Sequence, residues 1–159
     1  MQGPIKWGLI LGIAVTIQNF VFGAAGWHTT YSMSFVFLAI AIAINVVTVV
    51  MCLRGTAQES AWAGQLRNGL MVGLVGSVLI FAGSWFVTAV VFPDYFTEMA
   101  EGYREAYVSM GLSQEAIDES VAGIAGTSPI RSAFEGVVGT VVTSLVVGAI
   151  TGIWVRRKD

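Results

Sequence analysis

Four long apolar stretches constrain the fold of this chain more than any other feature. They cover residues 5–25, 34–53, 66–92 and 134–155, and none has a charged residue in its interior. Each has about the 20 residues that a helix needs to cross a bilayer core. Backbone polar groups cannot stay unpaired in lipid, and the stretches are too long and lack the alternation for barrel strands. The sequence therefore predicts an all-α fold, an integral membrane four-helix bundle.

The composition supports one membrane domain over residues 1–159. Only 11% of the residues are charged, 55% are hydrophobic and the mean hydropathy is +0.76, against roughly 25% charged residues in soluble domains. Too few charges remain to cover a surface in water. No basic stripe away from the termini indicates nucleic-acid binding, and the single cysteine, Cys52, excludes a disulfide within the chain.

The first apolar stretch has two interpretations. It has Lys6 at its start and ends in Gly23-Ala24-Ala25, which also satisfies the small-residue rule for signal-peptide cleavage. Its length favours a retained span. A removed signal peptide would leave three spans.

The positive charges predict the orientation. Six of the eight Lys and Arg residues lie at the N-terminus, in the second connection or at the C-terminus: Lys6, Arg54, Arg67, Arg156, Arg157 and Lys158. Because such charges mark the cytoplasmic side, both termini are expected in the cytoplasm and residues 93–131 on the outer side. The last three of these charges are expected to anchor the final helix at the inner head groups.

Residues 93–131 are predicted to form an amphipathic helical hairpin. Pro93 fits the first turn of its first helix, Gly111 fits a left-handed stop and Ser113 an N-cap, and Gly126 and Pro129 are expected to end the second helix. Apolar residues recur at three- and four-residue steps. The apolar face of the first helix is predicted at Tyr95, Met99, Tyr103, Ala106 and Met110, and that of the second at Ala116, Ile117, Val121 and Ile124.

Small residues predict close helix packing. The fourth stretch has one at every fourth position, namely Gly136, Thr140, Ser144, Gly148 and Gly152. In lipid such a face permits close backbone approach. Packing within the monomer is the favoured interpretation, and a homo-oligomer or a partner helix is the alternative.

Three amides lie inside the apolar stretches. Asn45 is expected to hydrogen-bond to a neighbouring helix, or alternatively to mark a permeation path. Gln18 and Asn19 lie nearer the outer interface, where hydration would relieve the cost of burial. A proton or ion path normally contains an intramembrane acid, base or histidine, and the interiors of the stretches contain none.

No catalytic, metal or cofactor site is predicted. His28, the only histidine, lies in the short connection 26–33 and is expected to be solvated or interfacial. A lone histidine makes a metal site only if the fold brings acids to it, and the acidic residues after Pro93 are expected to form a solvated face rather than a cation site. Serine-nucleophile and phosphate-loop motifs are absent.

The order of the motifs around the long third stretch resembles that of a known protein family. They comprise Gly69-x-x-x-Gly73, then Phe92-Pro93-Asp94-Tyr95, then Met110-Gly111-Leu112-Ser113 with Glu115 and Ile117, and last a glycine-rich helix ending in basic residues. This layout is similar to that of the bacterial membrane proteins grouped as domain of unknown function 4199. The resemblance implies a four-span inner-membrane protein and brings no assigned activity, substrate or catalytic residue.

Three functions remain open from the sequence. The leading hypothesis is a non-enzymatic accessory or scaffold subunit that contacts other membrane proteins, or copies of itself, through the hairpin and the small-residue faces. The second is a small transporter or channel, alone or as a homo-oligomer, with Gln18, Asn19 and Asn45 along its path. The third, an enzyme of lipid or cell-wall metabolism, would require Asp94 and Glu98 to meet at the outer interface.

Overall fold

The structure, a computed structural model, describes residues 3–155, and within that range it is helical without strands, which confirms the all-α prediction. The helices are α1 (Pro4–Ala24), α2 (Tyr31–Gly55), α3 (Trp62–Phe86), α4 (Tyr95–Ser109), α5 (Gln114–Ala125) and α6 (Pro129–Trp154). A 3-10 turn, Trp27–Thr29, joins α1 to α2, and a π-helical segment, Val87–Val91, extends α3. The predicted basic anchor at residues 156–158 lies outside the described residues.

Four helices are long and apolar enough to cross a membrane: α1, α2, α3 with its π-helical extension, and α6. Three of them begin three or more residues before the apolar stretches, at Tyr31, Trp62 and Pro129. Pro129, expected to end the second helix of the hairpin together with Gly126, instead occupies the first turn of α6, where its missing N–H costs nothing. The Ser128 hydroxyl accepts the Arg131 N–H at 3.2 Å and caps this helix. Hydropathy marks the apolar part of a helix, and in α6 the Ser128 cap marks where the helix begins.

The third long helix, α3, contacts each of the other three long helices, and α2 also packs against α1 and α6. The core consists of residues from α1, α2 and α3: Leu11, Val15, Val49, Cys52, Leu53, Val72 and Ile80. We call the end of the bundle with the α2–α3 connection the α2–α3 end, and the opposite end, where α4 lies against the 3-10 turn, the α4–α5 end.

A buried polar network closes the α2–α3 end. The Thr56 hydroxyl donates to Oε1 of the fully buried Gln65 at 2.9 Å, and Nε2 of Gln65 donates to the Leu53 carbonyl at 3.2 Å. Nδ2 of Asn68 also donates to the Thr56 hydroxyl, at 3.1 Å. The sequence shows only a polar loop here, because the pairing requires α2 and α3 to lie side by side.

One turn precedes α4, and a second turn joins α4 to α5. In the first, the Tyr95 N–H donates to the Phe92 carbonyl at 3.0 Å. Pro93 therefore lies in the turn before α4 and not in its first helical turn as predicted, since its fixed φ suits the second position of a β-turn. In the second turn Gly111 has φ +75° and the Ser113 hydroxyl accepts the Ala116 N–H at 3.3 Å, so both predictions are confirmed.

The buried face of α4 agrees with the prediction at Tyr95 and Tyr103, but it also includes Phe96 and Ala100 and does not include Met110. Its buried residues are Tyr95, Phe96, Ala100 and Tyr103, whereas Met110 is 53% exposed. Met110 lies in the turn, beyond the surface that α4 covers. An ion pair between Arg104 and Asp118, with an N–O distance of 2.8 Å, joins α4 to α5.

Candidate functional site

The small-residue face of α6 divides into two parts. Towards the α2–α3 end, Gly148 lies against Gly69 of α3, where a Cβ on Gly69 would stand 3.0 Å from the Cα of Gly148. At Gly73 a Cβ would stand 2.7 Å from that of Ser144, and at Gly152 it would meet Gln65 at 3.2 Å. This half of α6 is in direct backbone contact with α3.

The half of α6 nearer the α4–α5 end has no such partner. A Cβ on Gly136 would meet only Ile80, at 3.6 Å, and one on Gly139 would meet nothing within 4 Å. Both glycines, together with Thr140, border an open space between α6 and α2.

This space is an open-sided cavity of about 510 Å³, lined by residues of α1, α2, α3, α4 and α6. The α2 wall contains Phe37, Leu38, Ala41 and Ile42, and the deep wall contains Val15, Asn19 and Phe22 of α1 with Ile80, Ser84 and Thr88 of the extended α3. Leu38 and Ile42 are exposed, as are Gly136 and Gly139 opposite them. The cavity therefore opens sideways between α2 and α6.

Asn45 forms the floor of the cavity. Its Nδ2 donates to the Thr140 carbonyl at 3.1 Å, and its Oδ1 accepts the Ser144 hydroxyl at 3.1 Å. These are the interhelical hydrogen bonds that the sequence predicts for Asn45. One turn further along α2, Val49, Cys52 and Leu53 are fully buried, so the cavity ends at Asn45.

The roof is α4, held by His28 of the 3-10 turn. Nε2 of His28 lies 2.9 Å from Oε2 of Glu98, and its ring stacks on Tyr95 with centroids 4.3 Å apart. The histidine is 6% exposed, so the expectation of a solvated side chain is wrong, while an interfacial position stays a prediction. The sequence places it in a short polar connection, and only the packing of α4 over that connection buries it.

Two further contacts seat α4 on the bundle. A Cβ on Gly102 would overlap the Thr29 carbonyl oxygen, so only glycine allows α4 to lie this close to the connection. The ring of Tyr31, at the start of α2, packs edge-on against Tyr103, with centroids 5.2 Å apart. Burial raises the pKa of Tyr95 to about 12 and also raises that of Tyr103. Both phenols thus stay neutral in the roof at ordinary pH.

Asn19 and Gln18 differ in their surroundings. Gln18 faces α2, and its Nε2 donates to the Phe37 carbonyl at 2.7 Å. Asn19 faces the cavity, is 6% exposed and has no side-chain hydrogen bond to any described residue. The expectation that hydration relieves the burial of both amides is wrong for Gln18, because its Oε1 is sealed from solvent without a partner in the described chain, and it stays a prediction for Asn19.

The motif residues serve the two turns and the α3–α6 contact. Phe92 packs its ring against Gly23 of α1, Asp94 precedes α4 without a side-chain cap, and Tyr95 lines the roof. In the second turn Met110 and Leu112 are exposed.

Sequence reasoning missed Ser84 and Thr88 as cavity residues, although their spacing of four already places them on one helical face. Within residues 3–155, no three His, Cys, Asp or Glu side chains are grouped so that they would share a metal ion.

Taken together, the helices and the cavity define an all-helical protein with four candidate membrane spans. The sequence pattern of the family described as "Protein of unknown function (DUF4199)" matches residues 6–157. The chain belongs to the DUF4199 family, which confirms the resemblance drawn from its motifs. No curated protein and no solved structure gives a significant match to the chain.

Proposed function

We propose that this protein is a multi-pass membrane protein that binds an apolar or amphiphilic molecule, which enters sideways from the bilayer between α2 and α6. The cavity is the observation that supports this function. Its volume of about 510 Å³ lies within the roughly 300–1,000 Å³ of small-molecule sites. Its side opening lies between two candidate membrane spans, at a level where only lipid-like molecules are abundant.

The lining also fits such a ligand. Ligand sites are mostly apolar with a few placed polar groups, and here side chains such as Val15, Phe37 and Ile80 surround the amide of Asn19 and the hydroxyls of Ser84 and Thr88. An acyl or isoprenoid chain would replace lipid contacts at the opening by contacts with these walls. Binding therefore needs no large rearrangement of the helices.

Transport is less well supported than binding. A path through the bundle would have to pass Asn45, which is held by two hydrogen bonds, and then the fully buried Val49 and Leu53. If transport nevertheless occurs, Asn45→Leu should abolish uptake by reconstituted vesicles. Uptake that survives this substitution would remove Asn45 from the path, and no uptake by the wild type would remove the transporter alternative.

We place the protein in the cytoplasmic membrane of a bacterium, with both termini in the cytoplasm and α4–α5 outside. The distribution of Lys and Arg supports this orientation. We also propose a non-enzymatic role. Glu98 is engaged with His28, while Asp94 lies exposed at the start of α4, so the two carboxylates are in different environments. A double alanine substitution at Asp94 and Glu98 that abolishes a turnover activity would contradict this role.

A tryptophan that fills the cavity provides the test. The protein is purified in phosphatidylcholine nanodiscs, and binding of 1-oleoylglycerol is measured by native mass spectrometry. Gly139→Trp points a large ring into the cavity, whereas Val138→Trp, the matched control, alters an exposed neighbour outside the cavity lining. Wild type and the control should bind one equivalent, and Gly139→Trp should bind at least about tenfold more weakly, corresponding to about 1.4 kcal/mol. Equal binding by all three proteins, or none by the wild type, would overturn the proposal.

The accessory role is a second candidate, favoured by exposed apolar side chains at the α4–α5 turn. Val108, Met110 and Leu112 are exposed there. They lie outside the predicted spans, so contact with lipid within a span does not account for their exposure. The test is in-cell crosslinking of Met110→Glu and Leu112→Glu, with Ala122→Glu on the exposed side of α5 as control. Loss of one defined crosslinked partner in the first two variants only would support the role. Unchanged crosslinks would contradict it.

A further inference from the structure

We infer that Asn19 is the polar anchor of the cavity and that the ligand is an uncharged amphiphile, whose hydrogen-bonding group lies against Asn19 while its chain extends towards the α2–α6 opening. This inference rests on the proposed function. It names the chemical class of the ligand and the residue that recognises it.

The isolation of Asn19 is the first reason. The other buried amides of the long helices make side-chain hydrogen bonds: Asn45 makes two, Gln65 pairs with Thr56 and Leu53, and Gln18 donates from Nε2 to Phe37, while its Oε1 is buried away from the cavity without a partner among the described residues. Asn19 is equally buried, faces the cavity and bonds to no described residue. Its amide atoms are not sealed off by protein and border the cavity, so a molecule bound in the cavity can supply the hydrogen bonds that the chain does not.

The neighbouring hydroxyls extend this polar spot. Thr88 and Ser84 line the same deep wall, and the Thr88 hydroxyl donates to the Ser84 carbonyl at 2.8 Å. Its proton is thereby used while its oxygen can still accept. Asn19 offers both a donor and an acceptor. This set suits a hydroxyl, ester or amide group.

The charges around the cavity exclude an ionised head group. Its titratable lining residues are His28, Tyr95, Tyr103 and Glu135. His28 is engaged with Glu98, the two tyrosines are kept neutral by burial, and Glu135 lies exposed at the rim with Arg131 at 3.0 Å. No cation is available in the deep wall, so an anionic head group there would be buried without a partner, which is strongly unfavourable.

The test compares two ligands with the same oleoyl chain and glycerol backbone, the neutral 1-oleoylglycerol and its anionic phosphate ester 1-oleoyl-lysophosphatidic acid, in the same nanodiscs. The wild type should bind the neutral ligand at least about tenfold more tightly. Asn19→Leu should weaken binding of the neutral ligand by about tenfold, the loss expected for one buried hydrogen bond. The matched control Gln18→Leu removes a neighbouring amide outside the cavity and should keep the affinity of the wild type.

Thermal unfolding separates recognition from folding. Asn19→Leu removes no hydrogen bond within the described chain, so its Tm should not fall, whereas Gln18→Leu should lower Tm. A lowered Tm together with weaker binding in Asn19→Leu would overturn the anchor role. Unchanged binding in Asn19→Leu with lost binding in Gly139→Trp would overturn the anchor and leave the proposed function standing. Tighter binding of the anionic ligand would overturn the uncharged class, and equal binding of 1-oleoylglycerol by wild type and Gly139→Trp would overturn both proposals.

Discussion

The two halves of α6 have the same kind of residue spacing and different surroundings. From Ser144 to Gly152 the helix packs directly on α3, with Gly69 and Gly73 opposite. From Gly136 to Thr140 it borders a cavity, because α2 stands away from it and only α4 covers the space. A run of small residues therefore shows that a helix can approach closely. Whether it does depends on the path of the facing helix.

The largest expected effect contrasts a glycine from each half. In Gly73→Leu the new side chain collides with Ser144, so α3 and α6 must separate, and the free energy of unfolding should fall by about 3 kcal/mol. In Gly139→Leu the side chain enters open space, and the change should stay within about 0.5 kcal/mol. Denaturant unfolding in detergent micelles measures both. Equal losses would show that the two halves are packed alike.

The boundary between the halves is the hydrogen-bonded Asn45. Asn45→Leu removes its bonds to Thr140 and Ser144 and should cost about 1–2 kcal/mol, in the range of interhelical hydrogen bonds in membranes. A double-mutant cycle with Ser144→Ala measures the coupling. Thr143→Val, at a cavity residue with no side-chain hydrogen bond to the described residues, is the control. Equal losses in Thr143→Val and Asn45→Leu would indicate that the bonds contribute little.

The roof of the cavity depends on the contact between Gly102 and Thr29. Gly102→Val should lift α4 from the 3-10 turn, because its Cβ overlaps the Thr29 carbonyl oxygen. Since cleavage follows the population of the open form, proteolysis within residues 93–131 should become about tenfold faster, equivalent to about 1.4 kcal/mol. Gly123→Val, on α5 with open space around it, should leave the rate unchanged. Equal acceleration in both variants would rule out a specific role for the Gly102 contact.

The smallest effect is expected from pH at the α4–α5 pair. The hydrogen bond from Arg104, followed by that from Gln114, holds the pKa of Asp118 below its ordinary value of 3.8. A lowered pKa means that the stabilisation is present above pH 3.8 and is lost as the pH falls through the lower folded value. Tm should therefore be independent of this pair between pH 7 and 5 and fall slightly in stronger acid. Asp118→Asn should remove that part of the acid dependence, and an unchanged acid profile would contradict the assignment.

Much of the fold can be predicted from local sequence, and the site only in part. Long apolar runs imply helices because lipid leaves the backbone no other partner, and Gly111 and Ser113 mark their turn through backbone conformation and capping alone. The burial of His28 and the isolation of Asn19 are not local properties. Both follow from the position of α4, which lies 67 or more residues away in the chain from either one.

The all-α class, the four candidate spans, the turn between α4 and α5 and the family can all be read from the amino-acid order. Each depends on short-range chemistry, either the hydropathy of one helix length or the conformation of a few residues. The packing of the helices was needed to show which half of α6 is packed, where the cavity lies and which amide faces it without a protein partner in residues 3–155. Those features depend on the distances between helices that are remote in sequence, and a small-residue pattern permits close contact and open space alike.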